Sequence, residues 1–75
     1  MEQKAEIDLR GQACPMNFVR IKLALEKLQR GHILLALVDP EPVSADVERS
    51  LAAQGYSVHS RHETPDHAII AVSRP

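Results

Sequence analysis

The residue of this sequence best suited to chemistry is its single cysteine, Cys14, which follows Gly11 by three positions and directly precedes Pro15. A cysteine acts as a nucleophile through its thiolate. Helical periodicity starts at Cys14, and Pro15 suits the first position of a helix because its missing N–H would have no intrahelical partner there. The unpaired N–H groups at a helix N-terminus favour the negatively charged thiolate. We therefore predict that Cys14 is the catalytic residue.

A single cysteine excludes an internal disulfide, a Cys-x-x-Cys redox pair and a zinc site built from several thiolates. Any chemistry at Cys14 must therefore be completed with a second molecule. The competing interpretation is a buried structural residue, since free cysteines are among the most buried residue types. The position of Cys14 at the helix entrance, rather than in the helix middle, favours the nucleophile. Arg10 could add positive charge there, but the sequence leaves its direction open.

The four histidines suggest two further sites, a metal centre and a Cys–His pair; they are His32, His59, His62 and His67. His62 and His67 flank the turn at residues 64–66 and could face each other across it. No third ligand is apparent, so we predict solvated strand ends and no metal. A Cys–His pair would require the fold to bring a distant histidine to Cys14.

The elements that must position Cys14 follow from the spacing of apolar residues. A half-buried strand is predicted at residues 5–9, and a helix from Cys14 with Gly31 as its C-terminal cap. Residues 33–38 are apolar at every position, which indicates a central strand parallel to the first. A second helix is predicted from residue 43 or 44 to 54, ended by Gly55, followed by a polar edge strand at 56–62 and an apolar strand at 68–72.

Two right-handed crossovers place both helices on one face of the sheet, which gives a two-layer α/β (α+β) sandwich with the order βαβαββ. The other face is left open. We predict that it presents a set of aliphatic residues, either as a contact surface or as ordinary exposed area: Leu34, Ala36, Val38, Ile69 and Ala71.

Composition limits the function classes. With 75 residues, the chain has room for one domain over residues 1–75 and one modest core. A net charge of −1, one Phe, one Tyr and no Trp argue against direct nucleic-acid binding. The charged N-terminal residues 1–6 and the lack of a long apolar run predict a cytoplasmic protein with no membrane partner.

The first helix has a basic side, formed by Arg20, Lys22, Lys27 and Arg30. Such a side can be a solvated helix face or a docking surface for an acidic partner. The two uses are compatible.

The segment from Ile7 to Pro15 resembles the Leu-Asp-x-Arg-Gly-x-x-Cys-Pro segment of the TusA family, also called SirA-like, whose members are small sulfur carriers. Asp39-Pro40, Asp46-Val47 and Gly55 resemble the family's second-helix region, and the resemblance covers essentially the whole chain. One position departs from the family's Cys-Pro-x-Pro motif, because Asn17 replaces the second proline. This change removes backbone stiffness but adds a donor–acceptor side chain within reach of the helix entrance.

The resemblance implies a mixed sheet in the order 1-2-4-3 and a Cys14 that accepts a persulfide sulfur. The implied donor is a cysteine desulfurase or rhodanese-like protein, and the implied acceptor is a protein of tRNA thiolation, molybdenum-cofactor maturation or sulfur oxidation. Arg10, Gly11, Pro15 and Asn17 are the expected supports of the helix entrance. We expect no cofactor, no metal and a monomer or weak dimer. The alternative is a non-catalytic binding or regulatory module on the same scaffold.

Overall fold

The elements of the chain follow the hydrophobic periodicity of its sequence. The computed structural model describes residues 4–75, and over that range the predicted order βαβαββ is confirmed. The elements are β1 (Lys4–Asp8), α1 (Met16–Glu26), β2 (Ile33–Val38), α2 (Val43–Ala53), β3 (Ser57–Glu63) and β4 (Ala68–Ser73). Neither helix in this range is long and apolar enough to cross a membrane.

The four strands form one mixed sheet in the order β1-β2-β4-β3. The pair β1–β2 is parallel, whereas β2–β4 and β3–β4 are antiparallel. The crossover through α1 makes β1 and β2 parallel, and it brings the loop after β1 beside the loop after β2. The α/β sandwich with sheet order 1-2-4-3 is therefore confirmed.

The core lies between the sheet and the two helices. Its fully or almost fully buried members come from α1, β2, α2 and β4 and from Leu9, directly after β1. They include Ile21 and Leu25 of α1, Val47 and Leu51 of α2, and Ile70 of β4. These helical residues recur at intervals of four, which places them on one side of each helix.

The prediction for the open face is wrong at three positions. Leu34, Ala36 and Val38 are at most 2% exposed and lie under the helices. Successive side chains of a strand point to opposite faces, so Leu35 and Leu37 point outward instead. Because β2 is apolar at every position, its sequence carries no alternation that could distinguish the two faces.

Helix α1 ends earlier than predicted. Its last residue is Glu26, and the N–H groups of Lys27 and Leu28 bond to carbonyls three residues back, which tightens the final turn. Gly31 has a φ of 90° but lies in the turn before β2 and does not cap the helix. Leu28 still packs on the core, so the apolar periodicity continues past the end of the helix.

Candidate functional site

Cys14 lies in the loop between β1 and α1, beyond the carboxyl end of β1, and its side chain is exposed. This exposure rules out the buried structural interpretation. Pro15 occupies the N-cap position of α1, one residue earlier than predicted, because its carbonyl accepts the first helical bond from the Val19 N–H over 3.0 Å. Cys14 therefore stands just before the helix rather than at its first turn.

The start of the Cys14 loop is held by Asp8 at the end of β1. Its carboxylate accepts hydrogen bonds from the Arg10 backbone N–H, from Nε at 3.0 Å and from an Arg10 guanidinium nitrogen at 2.8 Å. The Arg10 side-chain bonds chiefly, then the backbone bond and more weakly the charge of His67, lower the pKa of Asp8 to about 2. The positive charge of Arg10 is thus directed to Asp8, and no hydrogen bond joins Arg10 to Cys14 over residues 4–75.

The middle of the loop is held by Asp39, the residue directly after β2. The backbone N–H of Gly11 donates to both carboxylate oxygens of Asp39, over 3.0 and 3.1 Å. Gly11 has a φ of 82°, a left-handed conformation that favours glycine, which explains why this residue type stands there. The role of Asp39 was not predicted; an Asp directly after a strand parallel to β1 was the available signal.

The end of the loop is held by Asn17, which is completely buried. Its Nδ2 donates to the Gln12 carbonyl at 3.4 Å, and its Oδ1 accepts from the Phe18 N–H at 2.6 Å. The residue that departs from the family motif thereby links the loop to the first turn of α1. Both polar ends of its amide are used, as a buried polar side chain requires.

Two of the histidines are bonded to residues outside this arrangement. His59 Nε2 lies 2.8 Å from Ser73 Oγ, and His67 Nδ1 lies 3.3 Å from Thr64 Oγ1. The prediction that His62 and His67 could face each other is wrong, because the strand register pairs His62 with Ile69. Over the described range, no histidine is hydrogen-bonded to Cys14, and no three metal-ligating side chains converge.

A second cluster of charges joins the start of α2 to β3. Arg61 forms ion pairs with Glu41 at 2.7 Å, Glu48 at 3.1 Å and Glu63 at 3.4 Å. The hydroxyl of Ser44, which is buried, donates to Glu63, and this bond is the main cause of a lowered pKa of Glu63. The three carboxylates are satisfied by these partners, so the cluster fixes α2 on the sheet.

The side of α1 that faces solvent combines apolar and basic groups. Met16 and Leu23, both slightly more than half exposed, are the exposed large hydrophobic residues of the described part of the chain. Arg20 and Lys27 lie on the same side, because the four positions are spaced by four, three and four residues. We call these four residues the α1 surface. It begins two residues after Cys14, and a shallow groove beside it is lined in part by Arg20, Leu23 and Lys27.

Comparison with known proteins supports the likeness seen in the motif. The model of the family described as "Sulfurtransferase TusA" matches residues 5–74. Two archaeal relatives carry the name "Putative sulfur carrier protein". The one from Archaeoglobus fulgidus is 40% identical over 60 residues, which are 80% of this chain and 68% of the relative. The one from Methanocaldococcus jannaschii is 29% identical over 69 residues, or 92% of both chains.

A solved structure of a SirA-like protein has a similar fold. The crystal structure of a SirA-like protein from Desulfitobacterium hafniense matches with a TM-score of 0.72 and 25% identity, over 91% of this chain and 93% of that one. The family match covers nearly the whole chain and includes the loop that carries Cys14. The chain is therefore a member of the TusA family, the SirA-like sulfur carriers.

Proposed function

We propose that Cys14 carries sulfur between proteins in the cytoplasm as a persulfide. The Cys14 thiolate attacks the terminal sulfur of a persulfide on the donor. The sulfur–sulfur bond of the donor breaks, the donor cysteine leaves as a thiolate, and a persulfide forms on Cys14. A nucleophile of the acceptor then takes the terminal sulfur, and Cys14 returns to the thiolate.

The observation that carries this proposal is an exposed sulfur on a loop that is held at three points. Cys14 is exposed, whereas Asp8, Asp39 and Asn17 each bond to a different residue of the loop. An exposed thiol can enter the active site of another protein, and an anchored loop presents it in one geometry. With no second cysteine in the chain, the sulfur must pass to another molecule.

The α1 surface supports docking of the donor and acceptor beside Cys14. Its apolar residues offer area for contact, and Arg20 and Lys27 attract carboxylates on a partner. We propose a cysteine desulfurase or a rhodanese-like protein as donor, and a sulfur-accepting protein, such as one of tRNA thiolation, as acceptor.

The test is an intact mass after incubation with a cysteine desulfurase and free cysteine. We expect the mass of one additional sulfur atom, removed by a reductant and absent in Cys14→Ser. Loading by inorganic polysulfide serves as a positive control for the reactivity of the thiol itself. A protein that polysulfide loads, but that no desulfurase or rhodanese-like donor loads, would contradict the carrier function.

A second candidate function is a binding or regulatory module, which the half-buried apolar residues on the open face of the sheet favour. In that function, capture of a partner by the unloaded protein would be unchanged in Cys14→Ser. Capture that requires a persulfide on Cys14 would exclude it.

A further inference from the structure

The open face of the sheet has a polar–apolar–apolar–polar pattern in each of two neighbouring rows. The strand register defines these rows, which cross the strands in the order β1, β2, β4, β3. The first row is Asp8, Leu37, Ile69, His62, and the second is Glu6, Leu35, Ala71, Ser60. The carboxylates stand on the β1 edge, the aliphatic residues in the middle, and the hydroxyl and imidazole on the β3 edge.

Each row is complementary to itself when it is read backwards. A two-fold axis that runs along the strands, between β2 and β4, places β1 of one copy over β3 of the other. Asp8 then faces His62 of the second copy, and Leu37 faces its Ile69. In the next row Glu6 faces Ser60. A single patch that satisfies itself under a two-fold rotation is what a symmetric dimer needs.

We propose that this face binds a second copy of the same chain, with β1 over β3. The charges favour this dimer over the alternative one, in which the two-fold axis also lies in the plane of the interface but runs perpendicular to the strands. That axis would place β1 over β1 and bring the carboxylates of Glu6 and Asp8 against those of the second copy. Asp8 is paired with Arg10, so the repulsion comes chiefly from Glu6. A shallow groove between β1 and β2, lined in part by Glu6, Asp8, Leu35 and Leu37, receives the β3 edge of the second copy.

The size of the face sets the strength of this dimer. Four strands spaced by about 4.8 Å and about 17 Å long give a contact of roughly 300 Å² of flat area on each copy. The total buried surface is then well below the roughly 1,200 Å² at which stable interfaces begin. The dimer should therefore be weak and reversible, and it should be detectable only at high protein concentration.

The dimer uses the face of the sheet opposite the helices, whereas the α1 surface lies on the helix side. Asp8 belongs both to the first row and to the anchor of the Cys14 loop. Glu6 and Ser60, which the experiment changes, are not among the residues that anchor the loop. The proposal consequently does not depend on sulfur transfer, and either idea can fail alone.

A charge-exchange experiment tests the pairing of Glu6 with Ser60. Within one copy these residues lie on the two edge strands, about 14 Å apart, so they interact little. In Ser60→Glu, the added carboxylate lies opposite the Glu6 carboxylate of the second copy. Because the dimer is symmetric, this repulsive contact occurs twice. We expect it to raise the dissociation constant roughly ten-fold in sedimentation equilibrium, measured from micromolar to millimolar protein. Combining it with Glu6→Lys should restore the wild-type value or lower it.

The control is Gln54→Glu, which adds the same charge at the exposed end of α2, outside the proposed interface. It should leave the dissociation constant unchanged. A wild-type protein that stays monomeric at millimolar concentration would overturn the proposal. So would a double variant, Glu6→Lys with Ser60→Glu, that dimerises no better than Ser60→Glu alone.

Discussion

The backbone N–H of Gly11 donates hydrogen bonds to both carboxylate oxygens of Asp39, over 3.0 and 3.1 Å. The two residues are 28 positions apart in the chain, so these bonds tie the Cys14 loop to the end of the neighbouring strand. Bonds to a charged acceptor are stronger than bonds between neutral groups. The loop is therefore anchored to the sheet as well as to its own helix.

Asp39→Ala should slow the loading of Cys14 by a protein donor roughly ten-fold, because the loop loses the anchor that fixes the thiol in one geometry. The free energy of unfolding should fall by about 1 kcal/mol. Rapid-quench mass analysis measures the loading rate, and urea unfolding measures the stability. Asp39→Asn keeps one acceptor oxygen, so its loading rate and its free energy of unfolding should lie between those of wild type and Asp39→Ala. Equal loading rates for all three proteins would show that Asp39 does not position the loop.

Asn17→Ala should lower the free energy of unfolding by about 1–3 kcal/mol. The substitution leaves a cavity and removes the partners of the Gln12 carbonyl and the Phe18 N–H. Urea unfolding measures the loss. Met16→Ala is the matched control, because Met16 lies on the same turn with its side chain exposed, and it should change stability by less than about 0.5 kcal/mol. Equal stability of the two variants would contradict the anchoring role of Asn17.

Arg20→Glu should slow sulfur transfer from a protein donor about ten-fold at low salt, since it reverses a charge on the α1 surface. Loading by inorganic polysulfide should stay at the wild-type rate, because a small donor needs no docking surface. Lys22→Glu changes the net charge equally, and Lys22 is also exposed but points about 160° away from Arg20 around the helix. If Lys22→Glu slows protein-mediated loading as much as Arg20→Glu does, the effect is one of net charge.

The Asp8–Arg10 pair should make stability depend on acid pH. The pKa of Asp8 falls from its ordinary value of 3.8 to about 2 in the folded protein, mainly because of the Arg10 side-chain bonds. The ionised form is therefore favoured by folding. Its contribution is fully present above pH 3.8 and is lost as the pH falls through about 2.

Urea unfolding of wild type and Asp8→Asn across this pH range measures that contribution. The difference between them should shrink as the pH falls, while other carboxylates such as Glu63 affect both proteins alike. A difference that stays constant from pH 3.8 to 2 would show that Asp8 is not stabilised by Arg10.

The sequence by itself determined the order of the elements and the position of Cys14 at the junction of the first strand and the first helix, whereas the structure placed Cys14 in the loop before the helix. Both depend on local signals. The direction of the side chains repeats every two residues in a strand and every 3.6 residues in a helix, so the apolar spacing distinguishes the two. Gly11 and Pro15 mark the junction at which Cys14 lies. The Cys-Pro segment also indicated the sheet order through its resemblance to the TusA family, which the strand pairing confirms.

Only the tertiary structure decided which face of β2 is buried and which residues hold the loop. The uniformly apolar β2 has no alternation, so its burial depends on the side of the sheet to which the crossovers bring the helices. Asp39 is far from Gly11 in sequence and meets it because β1 and β2 are adjacent and parallel. Local periodicity cannot reveal such a contact, since it arises from packing between distant segments of the chain.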